Sequence, residues 1–135
     1  MENKEKKSAG QNRMIMNNRM VGNLGEEEAV KHLLNNGYNI IERNYRLKTG
    51  EIDIIATIDD FLVFVEVKLR VSDRFGRPAD AVGRNKINKI VKTSLHYMQK
   101  NNNFDKMVRY DVIEIAFGAI NHIEGAFEYS GRLGY

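Results

Sequence analysis

The sequence predicts an α/β domain, a mixed β-sheet flanked by helices in the order α-β-β-β-α-β-β. Three observations lead there. Two stretches have apolar residues at helical spacing, five are short and rich in β-branched and aromatic residues, and one helix separates the third strand from the fourth. A crossover of that length lets the fourth strand run parallel to the third, with the usual right-handed sense.

Each element has its own signals. From about Asn18 to Asn36, Met20, Val21, Leu24, Val30, Leu33 and Leu34 follow helical spacing, and Gly37 supplies a stop. Tyr38–Arg46 is the first strand, Gly50 marks a turn, and Glu51–Thr57 alternates polar with apolar at its start. Asp59-Asp60 is a turn before the strand Phe61–Lys68, so the first three strands form a meander. Arg70–Pro78 is a polar loop. Between Ala79 and Lys100, Ile87, Ile90, Val91, Leu95 and Met98 line one stripe of a second helix. Arg109–Phe117 is the fourth strand and Ala119–Phe127 a short fifth.

The 135 residues suit one domain, expected over 18–135, behind a basic N-terminal tail over 1–17. With no cysteine, disulfides, iron–sulfur clusters and thiol catalysis are excluded. The longest apolar run, Phe61–Val65, is far shorter than the roughly 20 residues of a membrane helix. The charged start has no apolar signal-peptide region, so the expected location is cytoplasmic. His32, His96 and His122 are far apart, without ligand spacing, and read as ordinary surface or half-buried residues.

Charge is unevenly distributed. Residues 26–67 carry nine acids and four bases, and residues 68–92 carry eight bases and two acids. A solvated surface is the plain explanation of such runs. The sharper one is a carboxylate site beside a phosphate-binding rim made of Arg70, Arg74, Arg77, Lys86 and Lys89.

The hairpin register bears on this choice. A turn at Asp59-Asp60 puts Asp53 opposite Glu66 and Glu51 opposite Lys68. All four should share one face, with Ile52, Ile54, Val65 and Val67 on the other. Two carboxylates about 5 Å apart repel by roughly 3 kcal/mol at an effective dielectric of 20. A shared proton, a nearby lysine or a divalent cation would relieve that. Mg²⁺ is typically held by one or two carboxylates with waters and phosphate. Lys68, two residues past Glu66, is a point charge suited to a negative transition state. Of Glu26, Glu27 and Glu28, Glu26 shares a helix face with Val30 and can sit beside the sheet.

Gly25-Glu26-x-x-Ala29, Gly50-Glu51-Ile52-Asp53, Phe64-Val65-Glu66-Val67-Lys68, Gly76-x-Pro78, Lys86 and Arg109-x-Asp111 resemble the YraN-like uncharacterised protein family. That family looks like a branch of the PD-(D/E)xK restriction-endonuclease-like superfamily, close to archaeal Holliday junction resolvases. The resemblance implies a restriction-endonuclease-like core. It implies Asp53 and Glu66 as Mg²⁺ ligands, Lys68 as the residue that positions or activates water, and Glu26 as the helix glutamate. Glu51 belongs to the signature as a supporting residue, and Ile52 stands where the superfamily has proline. The expected activity is Mg²⁺-dependent endonucleolytic cleavage of DNA, duplex or branched, with Mn²⁺ also suited and a homodimer suggested by the resolvase-like relatives. The alternative is a nucleic-acid-binding module without catalysis on the same fold. With no aromatic residues interleaved in the basic segment, backbone and shape recognition is favoured over base stacking.

Overall fold

A computed structural model describes residues 18–70, 82–116 and 119–128. The expected tail over 1–17, and with it Arg74, Arg77, the Gly76-x-Pro78 motif and Phe117, lies outside the described residues. The elements are α1 (Asn18–Asn35), β1 (Asn39–Leu47), β2 (Gly50–Ile58), β3 (Phe61–Leu69), α2 (Arg84–Asn101), β4 (Met107–Ala116) and β5 (Ala119–Phe127). The strands form one sheet in the order β1-β2-β3-β4-β5. The first three form an antiparallel meander, β3 and β4 are parallel, and β5 returns antiparallel. This is the mixed sheet with flanking helices that the sequence predicts.

Both faces of the sheet are covered. On one, Ile52, Ile55, Leu62, Phe64, Tyr110 and Val112 pack with Ile90, Val91, Tyr97 and Met98 of α2. On the other, Ile54, Ala56, Val63, Val65, Ile113 and Ile115 pack with Ala29 and Leu33 of α1. β3 and β4 are therefore apolar through most of their length rather than alternating. Each fully buried aliphatic side chain contributes about 1.5–3 kcal/mol.

α1 corrects part of the expected apolar stripe. Leu24 and Leu34 are each 54% exposed, and the packed face is Gly25, Glu26, Ala29 and Leu33. The close approach of helix to sheet explains the choice of small residues. A Cβ on Gly25 would lie 2.5 Å from Leu69 Cδ2. Gly50 opens β2 instead of marking the turn, which is Lys48-Thr49. α2 crosses directly over Gly50, where a Cβ would meet Lys89 Cβ at 3.1 Å and Thr93 Oγ1 at 3.2 Å.

The expected sharing of a face by Ile52 and Ile54 is also corrected: the two lie in opposite cores. Pairing of β1 with β2 runs through Arg43↔Ile54 and Tyr45↔Ile52, and between these Asn44 adopts a φ of 53°. That left-handed residue, opposite Asp53, breaks the regular ladder and resets the alternation. Ile52 joins Tyr45 against α2, and Asp53 is left at the break.

Candidate metal and phosphate site at the carboxyl end of β3

The β2–β3 register is the one derived from the Asp59-Asp60 turn: Ile58 pairs with Phe61 and Ile54 with Val65. The ladder stops there, just before Asp53 and Glu66. Asp53 fills the gap with its side chain, accepting the Val67 N–H at 2.8 Å on Oδ2. Its carboxyl lies within hydrogen-bonding reach of Glu66. Burial first, and then repulsion from Glu66, push Asp53 up to about 7, against the Val67 hydrogen bond that favours the charge. Glu51 adds a smaller repulsion. Asp53 thus holds a proton over much of the range where an ordinary aspartate is ionised.

A cation that answers this pair comes from the crossover helix. Lys86 Nζ, in the first turn of α2, is 2.5 Å from Glu66 Oε1. Burial would lower the Lys86 pKa. The hydrogen bond to Glu66 and the fields of Glu66, Asp53 and Glu51 outweigh it and raise it. Lys86, expected on the phosphate rim, is therefore also the counter-ion of the acid pair. Lys89, one turn further, is exposed.

Lys68 is half-buried, two residues past Glu66 on the same regular strand, and in register with Glu114 of β4. Glu114, absent from the sequence-derived candidates, is a fully buried carboxylate beneath the site. It accepts Arg70 Nε at 2.6 Å and Asn121 Nδ2 at 3.3 Å. Arg70, expected on the rim, has turned inward to this partner. Only the parallel β3–β4 register brings these residues together, and spacing along the chain carries no sign of it.

Glu26 approaches from α1. It is 7% exposed and accepts Arg43 Nε at 3.1 Å and Asn44 Nδ2 at 3.0 Å. Asn44 is the residue opposite Asp53, so Glu26 is tied to the edge of the site, with Arg43 bridging onward to Glu27 at 2.7 Å. Glu51 pairs with Arg46 at 3.1 Å on the exposed edge strand. Among the described residues no three of His, Asp and Glu converge on one ion position. The structure brings together Asp53, Glu66 and Lys86, sets Lys68 and Glu114 alongside, and holds Glu26 one residue away through Asn44.

The position within the fold is informative. Asp53, Glu66 and Lys86 gather at the carboxyl end of β3 and the start of the crossover helix. Open α/β sheets bind ligands at the carboxyl ends of their parallel strands. An apolar cavity of about 520 Å³ is lined by residues including Phe61, Leu95, Met98, Arg109 and Phe127 and contains none of these site residues.

A second polar cluster lies on the α1 side of the sheet. Asp111, wholly buried, accepts both Arg109 Nε and Nη2 at 2.9 Å and the Gly125 N–H at 3.0 Å, and its Oδ2 lies 2.7 Å from His122 Nε2. Arg109 also donates to Tyr38 Oη at 2.6 Å. The Arg109-x-Asp111 motif thus fastens β4 to β5 and to the loop after α1. His32 and His122, 90 residues apart in the chain, meet here at 3.0 Å.

No helix among the described residues is long and apolar enough to cross a membrane. The family described as "Uncharacterised protein family UPF0102" matches residues 25–115, a span containing Glu26, Asp53, Glu66, Lys68 and Lys86. A UPF0102 protein of Clostridioides difficile (strain 630) is 47% identical over 114 residues, covering 83% of this chain and all of the relative. One from Sulfurihydrogenibium sp. is 44% identical over 106 residues, 78% of this chain and 92% of the relative. One from Persephonella marina is 43% identical over 107 residues, 79% and 92%. By family match and by near full-length similarity, this chain belongs to the UPF0102 family, the YraN-like family that its motifs resemble.

Proposed function

We propose that this chain is a Mg²⁺-dependent endonuclease that hydrolyses phosphodiester bonds in duplex or branched DNA. The observation that carries the reading is the Asp53–Glu66 pair, two acids kept within hydrogen-bonding reach although burial and repulsion push Asp53 up to about 7. A strand selected for stability alone would avoid that juxtaposition. Perturbed, mutually opposed carboxyls are candidates for chemistry.

The donor set fits the ion. Two hard carboxylates, with waters and a substrate phosphate completing the shell, are what Mg²⁺ takes, and Mn²⁺ suits the same oxygens. Asp53 and Glu66 would hold it, with Glu26 acting through water by way of the Asn44 edge. When bound, the ion supplies an acidified water and a charge clamp for the phosphoryl transition state. Lys68, beside Glu66 on β3, would orient the attacking water and offset developing negative charge. Lys86, released from Glu66 once a dication is there, would join Lys89, Arg74 and Arg77 in holding flanking phosphates without reading sequence. The likeness of Asp53, Glu66 and Lys68 to the PD-(D/E)xK pattern supports the same roles.

The test is a cleavage panel of linear, nicked, flapped and four-way-junction DNA with structured RNA, in Mg²⁺ or Mn²⁺. Metal-dependent cleavage of the DNA is expected. Asp53→Ala and Glu66→Ala should each lower it by at least about a hundredfold, the scale on which one removed charge-stabilising group registers. Full activity in both folded variants would refute the site. One observation favours a second reading, a non-catalytic DNA-binding module: an internal ammonium already neutralises Glu66. Salt-sensitive DNA binding with no cleavage in either metal would select it.

A further inference from the structure

The crossover helix α2 carries five bases and no acid over its 18 residues. Ile90, Val91, Ser94, Tyr97 and Met98 make its buried side. At about 100° per residue, Lys86, Lys89, Thr93, His96 and Lys100 fall within about 80° of one another, on the flank next to the β1–β2 hairpin. Lys86, Lys89, His96 and Lys100 are exposed. Thr93 is buried because the hairpin turn crosses the stripe there, with Thr49 Oγ1 at 2.9 Å from Thr93 Oγ1. The same turn brings Lys48, also exposed, to the middle of the stripe, where the helix itself offers only a threonine.

We propose that this stripe is the seat of the DNA duplex flanking the cleaved bond, with Lys86, Lys89, Lys48, His96 and Lys100 holding the phosphates of one strand on the β1–β2 side of the acid pair. The inference rests on the DNA-cleavage reading and adds where the substrate lies. Charge complementarity argues for a polyanion. A helix that pairs its own charges places acids three or four residues from its bases, and α2 has no acid to offer. Length argues for a duplex. From Lys86 to Lys100 the helix rises about 21 Å, the length of about six base pairs. Continuity with the acid pair fixes the direction, because Lys86 both opens the stripe and contacts Glu66. A strand leaving the acid pair along α2 therefore meets cations from one end of the helix to the other.

The far end of the stripe is concave. There α2 and β1 leave a groove of about 300 Å³ lined by Tyr45, Leu47, His96, Gln99 and Lys100. That volume is at the low end for ligand sites and gives room to a sugar–phosphate unit. Leu47, 39% exposed, and Tyr45 offer apolar surface to a deoxyribose, while the Lys100 ammonium and the Gln99 amide can donate to phosphate oxygens. The acids of the hairpin do not cancel this field. Glu51 is paired with Arg46 at 3.1 Å, and Glu42 acts on Tyr97, on the buried side of α2.

The test is the salt dependence of DNA binding. Affinity of the full chain for a labelled duplex is measured by fluorescence anisotropy, without divalent metal, over about 50–200 mM salt. Each phosphate contact removed lowers the slope of log K against log salt by about 0.9. Lys89→Gln/Lys100→Gln should therefore lower it by about 2 and weaken binding at the upper salt limit at least about tenfold, and adding Lys48→Gln should lower it by about one more. Lys31→Gln, which removes an exposed lysine of α1, should keep the wild-type slope. Asp53→Ala/Glu66→Ala should abolish cleavage and bind at least as tightly as wild type, with the same dependence on Lys89 and Lys100. An unchanged slope in the Lys48/Lys89/Lys100 triple variant, while wild type cleaves DNA in Mg²⁺, would overturn the proposed seat and leave the nuclease reading standing. The expected fall in slope with no cleavage by wild type would do the reverse.

Discussion

Asp53 and Asp111 sit on the two strands that flank β3, and their surroundings drive them in opposite directions. Asp111 is wholly buried yet held below the usual carboxylate range, because His122, Arg109 and Gly125 satisfy it against the effect of burial. Asp53 keeps more solvent and has one backbone donor, but it faces Glu66 and is pushed up to about 7. The first acid is met by three donors; the second meets one backbone donor and a like charge. The contrast separates a carboxylate that builds the fold from one suited to chemistry, although the two are the same residue in one sheet.

The largest way to break the comparison is to remove the satisfied acid. Asp111→Ala leaves Arg109 as a half-buried guanidinium without its main partner and loosens the attachment of β5. Breaking a buried pair from one side costs about 3–5 kcal/mol. Urea unfolding should show a loss of that size, with β5 amides losing hydrogen-exchange protection first. A loss below about 1 kcal/mol would mean that the network is not what holds the hairpin.

Asp53→Asn should act in the other direction, and its pH dependence is the sharper readout. The native carboxyl titrates near 7 and the unfolded one near the ordinary value of 3.8, so between these the native state binds more protons. Stability attributable to this group is therefore present in full below pH 4 and is lost as pH rises through 7. Asn removes the ionisation and can keep the acceptor for Val67. The variant should match wild type near pH 4 and exceed it at pH 8, by about 1–2 kcal/mol once solvent screening is allowed for. Urea unfolding at the two pH values measures the difference, and equal shifts at both would show that Asp53 ionises normally.

What was legible in the sequence follows the same division. The element order and the Asp53–Glu66 juxtaposition could be read because a two-residue turn fixes the hairpin register and each strand is short. The face of Ile52 could not, because it depends on Asn44 taking a left-handed conformation, which no alternation pattern reports. Nor could the exposure of Leu24 and Leu34, since α1 packs through Gly25 and Ala29 to approach Leu69 closely. Arg70 to Glu114, Lys86 to Glu66 and His32 to His122 all depend on how non-adjacent elements dock, and spacing along the chain does not encode docking.

Lys86→Gln gives the smallest stability effect and the most direct test of how the acid pair is balanced. Lys86 is 59% exposed in its side chain, so its ion pair contributes about 0–1 kcal/mol to folding. Its electrostatic effect is larger than that figure suggests, because Lys86 is a cation in direct contact with Glu66. Without it, an ionised Glu66 meets Asp53 with less compensation, and the Asp53 carboxyl should titrate still higher than about 7. A carbon-detected NMR titration of the Asp53 side chain would read the change directly. The same variant removes the ammonium that competes with a dication, so Mg²⁺ should bind it more tightly than wild type. An Asp53 titration unmoved by the substitution would show that burial alone sets its ionisation, leaving Lys86 as a surface charge with no part in the site.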